Sequence, residues 1–253
     1  LNYAASDSRA RYFQIRGIGE RSGYQGTPNS SVGFLIDDID YSGQGGIATL
    51  FDVDQVEVYR GPQGSRTGAN ALAGLIYIKT KEPTDEFEGT SELTIGDYGT
   101  QNIGFAFGGP MKNKKLKYRL VVRSDYADGF RKNIYLNKSD TSKKDELTLR
   151  YKLNWELNKN TNIDFLISKV EMNDPADIWT IDGSLNTLSD RPGMDSQNTD
   201  SFKVKISKNF NNFELQSITS TTKTDVVFSY DADWGNYESH FPFTYDYFSE
   251  TLI

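Results

Sequence analysis

The chain has 253 residues, a formal net charge of −7, one histidine (His240) and no cysteine, which argues against a nucleic-acid partner and excludes a disulfide framework, a thiolate metal site and a histidine-rich metal site. Mean hydropathy is −0.60 and no run of about 18 apolar residues occurs, so no helix crosses a membrane. Strands remain possible as the crossing element, since a barrel strand shows lipid only every second residue.

In chain order, two parts meet near Lys81-Glu-Pro-Thr84. In residues 1–84 short apolar runs alternate with glycine turns. Phe13–Arg16 reads as a strand entering the turn Gly17-Ile-Gly19, and Ser31–Tyr41 as a single strand. Leu50–Arg60 is a third strand, which Gly61 and Pro62 turn sharply. Gly68–Lys79 closes the part.

Residues 85–253 read as about eight strands, near 88–96, 99–108, 115–125, 145–156, 161–171, 199–208, 212–230 and 245–253. Their signal is a period of two. Leu147, Leu149, Tyr151, Leu153, Trp155 and Leu157 share one face; Glu146, Thr148, Arg150, Lys152, Asn154 and Glu156 share the other. Leu116, Tyr118, Leu120 and Val122 likewise oppose Lys117, Arg119 and Arg123, and Phe202, Val204 and Ile206 oppose Ser201, Lys203 and Lys205. Short links at 109–114, 157–160 and 209–211 alternate with long polar ones at 126–144, 172–198 and 231–244, and the link at 97–98 breaks that rule. Short turns at one end and long loops at the other are the habit of outer-membrane barrels. Tyr98, Tyr126, Trp155, Tyr230 and Trp234 fall near strand ends, where aromatic girdles sit. A soluble β-sandwich with one wet face, acting as a carbohydrate-binding or adhesive module, is the alternative that strand pattern alone leaves open.

No catalytic constellation is found, so an enzyme is not expected. Gly17-Ile-Gly19 lacks the spacing and following helix of a dinucleotide site. Asp37 and Asp38, as consecutive strand residues, would face opposite sides and could not flank one bond. Asp52/Asp54 and Asp231/Asp233 lack a full calcium-loop pattern and read as solvated loop residues.

The run Val56-Glu-Val-Tyr-Arg-Gly-Pro-Gln-Gly64, followed by Gly68-Ala-Asn-Ala-Leu-Ala-Gly-Leu-Ile76, resembles the plug signature of TonB-dependent outer-membrane receptors. Arg16-Gly17, the Asp37 strand and Lys81–Pro83 fall in matching order, and the likeness runs on through Glu88–Glu92, Asp128–Phe130 and Ser189–Gly193. Arg66-Thr67 departs from it, at a place where an aromatic usually precedes the glycine. The resemblance implies a mainly β fold: the C-terminal part of a small mixed α+β plug at 1–84, then at 85–253 the first antiparallel strands of an incomplete transmembrane barrel. It implies a fragment of a Gram-negative outer-membrane receptor that takes up a scarce nutrient, foremost a ferric siderophore. The energy-coupling partner would be the TonB-ExbB-ExbD complex, engaged through a segment before Leu1. No resident cofactor is expected, the ligand being an iron chelate.

By the same resemblance Arg16 and Arg60, with Glu57 in their network, would latch plug to barrel through glutamates beyond Ile253. Plug-top turns at 20–28 and 41–46 would meet ligand, with Arg21, Tyr24, Gln25, Tyr41 and Gln44 as candidate contacts. Tyr126, Trp179 and Trp234 are weaker candidates in the outer loops.

Overall fold

The computed structural model describes residues 1–5, 9–20, 30–47, 49–67, 70–112, 114–240 and 248–252. Strands β1 (Asn2–Ala5) and β2 (Ala10–Gln14) form an antiparallel pair. Next come β3 (Val32–Ile36), β4 (Ile39–Asp40), a 3-10 turn at Gly45–Ile47, β5 (Val53–Arg60), the one-turn helix α1 (Gly64–Thr67) and β6 (Gly74–Thr80). Four of these strands make a sheet in the order β4-β3-β6-β5, with β3 parallel to β6.

The segment 31–41, expected as one strand, is a hairpin. Asp37 and Asp38 sit at φ 49° and 68° between β3 and β4, a left-handed turn that a short carboxylate tolerates better than most side chains. The expectation missed it because both residues are flanked by isoleucines that continue the apolar run.

The second part is one antiparallel sheet. Its strands are β7 (Glu88–Ile95), β8 (Gln101–Pro110), β9 (Leu116–Ala127), β11 (Lys144–Asn158), β12 (Thr161–Ala176), β14 (Gly193–Asn209), β15 (Glu214–Asp231) and β16 (Phe248–Leu252), each bonded to the next. The two-residue strands β10 (Lys132–Asn133) and β13 (Asn186–Thr187) lie in its long loops and pair with each other, and a one-turn helix α2 (Tyr237–His240) precedes β16.

Register sets the two faces. Phe105, Val122 and Leu149 are cross-strand partners on one face, and Ala106, Val121 and Arg150 on the other. The apolar face is open: Phe105 is 52%, Ile167 54% and Phe202 42% exposed. The polar face is the covered one, with Arg119, Arg150, Lys152, Ser201 and Lys203 all buried. A soluble sandwich would do the reverse. An apolar exterior around a polar interior is the pattern of a transmembrane barrel wall. At about 3.3 Å per residue, the 17 residues of β14 run well past a hydrocarbon band of roughly 25 Å.

What covers the polar face is the β1–β6 unit, the plug. Its core is shared with the wall: Phe34, Ile39, Tyr41, Ile47, Ile76 and Ile78 pack with Leu166, Val170 and Met172 of β12. Phe51 fills a second contact against Ala106 and Val121. Gly104 of β8 makes room for that ring, since a Cβ there would lie 2.8 Å from it.

Candidate functional site

The seam between plug and wall gathers most of the buried charge. Asp37 is its hub. The carboxylate accepts from the Thr80 amide (2.9 Å) and hydroxyl (2.6 Å), tying the β3–β4 turn to the end of β6. It also meets Lys152 Nζ of β11 at 3.2 Å. Lys152 donates further to the Thr80 carbonyl (3.2 Å) and to Glu82 (3.0 Å). Lys203 of β14 donates to the Asp37 carbonyl (2.5 Å) and contacts Asp38 at 3.3 Å, while Tyr77 donates to Asp38 from the plug side. Burial alone would raise the Asp38 carboxyl, but Lys203 and the Tyr77 hydrogen bond outweigh it and hold it below the ordinary carboxylate range.

Asp52, expected to be a solvated loop residue, is buried instead. Arg119 of β9 grips it with two bonds, Nε at 2.7 Å and a terminal nitrogen at 2.5 Å, and reaches Glu88 with the other at 2.7 Å. The alternation of Lys117, Arg119 and Arg123 along β9 was the available signal. Cations on the covered face of a barrel strand need partners, because an unpaired buried charge is costly. Arg150 completes this half of the seam, donating to the Phe51 carbonyl at 3.3 Å.

Toward the long-loop end the polarity reverses. Plug residues Arg9 and Arg11 pair with Glu146 and Asp195 on the wall. The plug is therefore clasped by cations from below and by carboxylates from above, a pattern that fixes its register against the sheet.

The expected ligand contacts fall differently. Arg21, Tyr24 and Gln25 lie outside the described residues. Tyr41 is 3% exposed and its hydroxyl donates to Ser201 of β14 at 2.7 Å. Burial pushes its phenol up to about 12. The Gln44 side-chain carbonyl accepts from Thr224 of β15 at 2.9 Å. Both side chains serve the seam. Arg16 is an exposed turn residue at φ 54°, and Arg60 is exposed at the end of β5, an edge of the plug sheet. Glu57 accepts from Gln55 and Tyr59 beside it. Among the described residues no ion pair joins these three to the wall. Nor does any group of three or more His, Asp or Glu residues among them have the placement to hold a metal.

The long loops are knitted together. Asn133 is fully buried; its amide donates to Asp177 (2.9 Å) and to the Ser189 carbonyl (2.8 Å) and accepts from the Leu136 amide. Ser189 donates to Asp231, and Asn236 to the Leu188 carbonyl.

A mixed α+β plug seated on the polar face of an inside-out strand wall defines a plugged barrel of the outer membrane. Residues 2–75 match the family model of the TonB-dependent Receptor Plug Domain, and the chain is similar to TonB-dependent receptors along most of its length. It is 25% identical over 158 residues to the vitamin B12 transporter BtuB of Vibrio vulnificus, covering 57% of this chain and 26% of that one. It is 36% identical over 74 residues to a probable TonB-dependent siderophore receptor, PirA, of Acinetobacter baumannii, covering 27% of this chain and 10% of that one. The ferric yersiniabactin uptake receptor FyuA of Yersinia pestis shares the fold at a TM-score of 0.71 and 20% identity, over 80% of this chain and 33% of that structure. The ferripyoverdine receptor of Pseudomonas aeruginosa does so at 0.65 and 20%, over 93% and 32%. The chain thus spans about a quarter of the first of these relatives and a third of the solved receptors. With that fold the long-loop end faces outward and the short turns face the periplasm.

Proposed function

We propose that this protein carries out TonB-dependent uptake of a ferric siderophore across the Gram-negative outer membrane. The observation that carries the reading is the plug itself, held in the wall's polar interior by buried ion pairs on two sides. A pore for free diffusion has no use for such a stopper, whereas active uptake of a scarce cargo does. The TonB-ExbB-ExbD complex is the energy source this reading requires. The iron belongs to the cargo, and the chain's part is to bind the chelate and admit it. Relatives described as siderophore receptors favour iron. Arg16 and Arg60, exposed on the plug, are assigned to pair with carboxylates of further wall strands.

The test is uptake by cells carrying the full-length receptor in their outer membranes, in a strain lacking its own siderophore receptors. Radiolabelled iron is offered on hydroxamate, catecholate and mixed chelators, with labelled cobalamin in parallel, with and without an uncoupler. Gradient-dependent accumulation of one ferric chelate is expected. Uptake of cobalamin alone would replace the substrate class, as the likeness to a vitamin B12 transporter allows. Accumulation that ignores the uncoupler would sink the active-transport reading.

A further inference from the structure

The lower rim of the wall carries a feature that the plug does not use. At the periplasmic end the β11–β12 and β14–β15 turns stand side by side. Thr161 pairs with Lys208, and the Asn209 amide donates to the Asn160 carbonyl at 2.8 Å. The second turn holds Phe210 and Phe213, closed by the Phe210 amide on the Phe213 carbonyl at 2.8 Å. Their rings stack at 4.6 Å between centroids, yet Phe213 is 61% exposed. A turn in water gains nothing from presenting two phenylalanines. At the edge of a hydrocarbon layer it does, because aromatic rings gather there.

Strand register says which side this is. Ile206 and Lys208 continue the lipid-facing alternation of Phe202 along β14. Across the sheet Ile206 pairs with Ile163, and Lys208 with Leu215. Down this face an apolar row is followed by one cation and then by the two rings. Lys208 Nζ sits 4.9 Å from the centre of the Phe210 ring. A lysine so placed lays its stem on the apolar rim and carries its ammonium to headgroup level. It has no carboxylate partner among the described residues. Glu214, the carboxylate of the same turn, belongs to the opposite face of the sheet and accepts from Gln216.

Between the two turns runs a groove of about 530 Å³, within the range of about 300–1,000 Å³ typical of small-molecule sites. Besides Lys208 and the two rings it is lined by Asn158, Asn160, Asn209, Asn211 and Asn212, and by no carboxylate among the described residues. The Asn158 side-chain carbonyl accepts from the Asn160 amide at 3.0 Å and fixes its turn. The side chains of Asn160, Asn209, Asn211 and Asn212 make no hydrogen bond within the protein among the described residues. Free amide donors around an uncompensated ammonium are the chemistry that holds a phosphate diester.

We propose that this groove is a binding site for the headgroup of an anionic glycerophospholipid of the periplasmic leaflet. Its phosphate lies on Lys208 and the turn amides, its acyl chains rise along Ile163, Ile206 and Leu215, and the Phe210–Phe213 pair walls the glycerol. Charge selects an anionic headgroup over a zwitterionic one, whose own ammonium would lie against Lys208. Continuity with the lipid-facing surface makes the occupant a membrane lipid rather than a soluble anion. A lipid held there fixes the height of these strands in the membrane.

The test uses the full-length receptor in phosphatidylcholine vesicles that carry a trace of phosphatidylglycerol, or of phosphatidylcholine, with a photoactivatable acyl chain. After illumination, lipid adducts on residues 206–215 are counted by mass spectrometry against those on residues 147–153, a lipid-facing stretch of β11. Phosphatidylglycerol should label 206–215 about five-fold more than phosphatidylcholine does, with no such preference at 147–153. Lys208→Gln should abolish the preference. Lys159→Gln removes the same charge from the neighbouring turn, outside the groove, and should leave it. Both lysines are exposed, so neither exchange disturbs the fold. Equal labelling by the two lipids, a preference that survives Lys208→Gln, or an equal loss in Lys159→Gln each overturns the site. Competition by excess inorganic phosphate would make it a site for a soluble anion and overturns the lipid assignment.

Discussion

Removing Asp52 should loosen the plug far more than removing Asp52 and Arg119 together. The Arg119 side chain is 2% exposed and that of Asp52 1%. In Asp52→Ala the guanidinium stays buried with Glu88, itself 48% exposed, as its remaining carboxylate. Breaking one side of such a pair costs about 3–5 kcal/mol, which at 1.36 kcal/mol per decade is roughly two to four decades in a local opening equilibrium. Asp52→Leu with Arg119→Met replaces both charges by apolar groups and should come within about 1 kcal/mol of wild type. Amide hydrogen exchange on the full-length receptor in detergent gives the readout. The Lys81 amide, bonded to the Asp52 carbonyl at 3.1 Å, reports the opening directly. Exchange there should speed at least 100-fold in the single variant and only a few-fold in the double. Equal rates in the two variants would refute the argument that the stranded charge, rather than the lost contact, sets the cost.

Two other outcomes follow from the same geometry. Burial pushes the Tyr41 phenol up to about 12 from an ordinary 10.0, so its contribution to stability is complete below pH 10 and is lost as pH rises toward about 12; the ultraviolet titration of wild type minus that of Tyr41→Phe should show one phenol ionising late, and a difference centred near pH 10 would place Tyr41 in solvent. Leu149→Arg puts a charge on the lipid face of β11 and should cost about 2–4 kcal/mol near mid-membrane in urea titrations of receptor refolded into lipid vesicles, whereas an unchanged midpoint would turn that face inward.

The wall strands were legible because lipid on one side and plug on the other impose a strict alternation, as in Glu146–Leu157. Where that contrast ends, the reading fails. The hairpin of β12 and β14 continues to Ala176 and back from Gly193, beyond the expected ends at 171 and 199, because Asn173, Asp174, Asp195 and Ser196 pair above the membrane with water or polar groups on both faces. The seam was half legible. Arg119, Lys152 and Lys203 stood out on the polar face, but their partners Asp37 and Asp52 lie far away in sequence and look like ordinary turn carboxylates. Resemblance drew attention to Arg16 and Arg60, whereas covered cations on the strands themselves pointed to the contacts that this chain makes. Tyr41 and Gln44 read as turn residues open to ligand because a turn's glycine and tyrosine content says nothing of what packs over it.

The hydrogen bonds centred on Asn133 bear on how the outer surface can change over generations. Surface loops normally drift one at a time. Here a substitution at Asn133 would take its donor from the Ser189 carbonyl of the neighbouring loop and leave the Asp177 carboxylate held by the Thr187 hydroxyl (2.8 Å), at a cost of about 1–3 kcal/mol for a buried group left unmade. Ser189 in turn holds Asp231 at the base of a third loop. Change in the outer surface that keeps these loops folded is therefore expected to need coordinated substitutions in several of them, or substitutions confined to exposed positions such as Tyr135 and Leu185, whose side chains take no part in the knot.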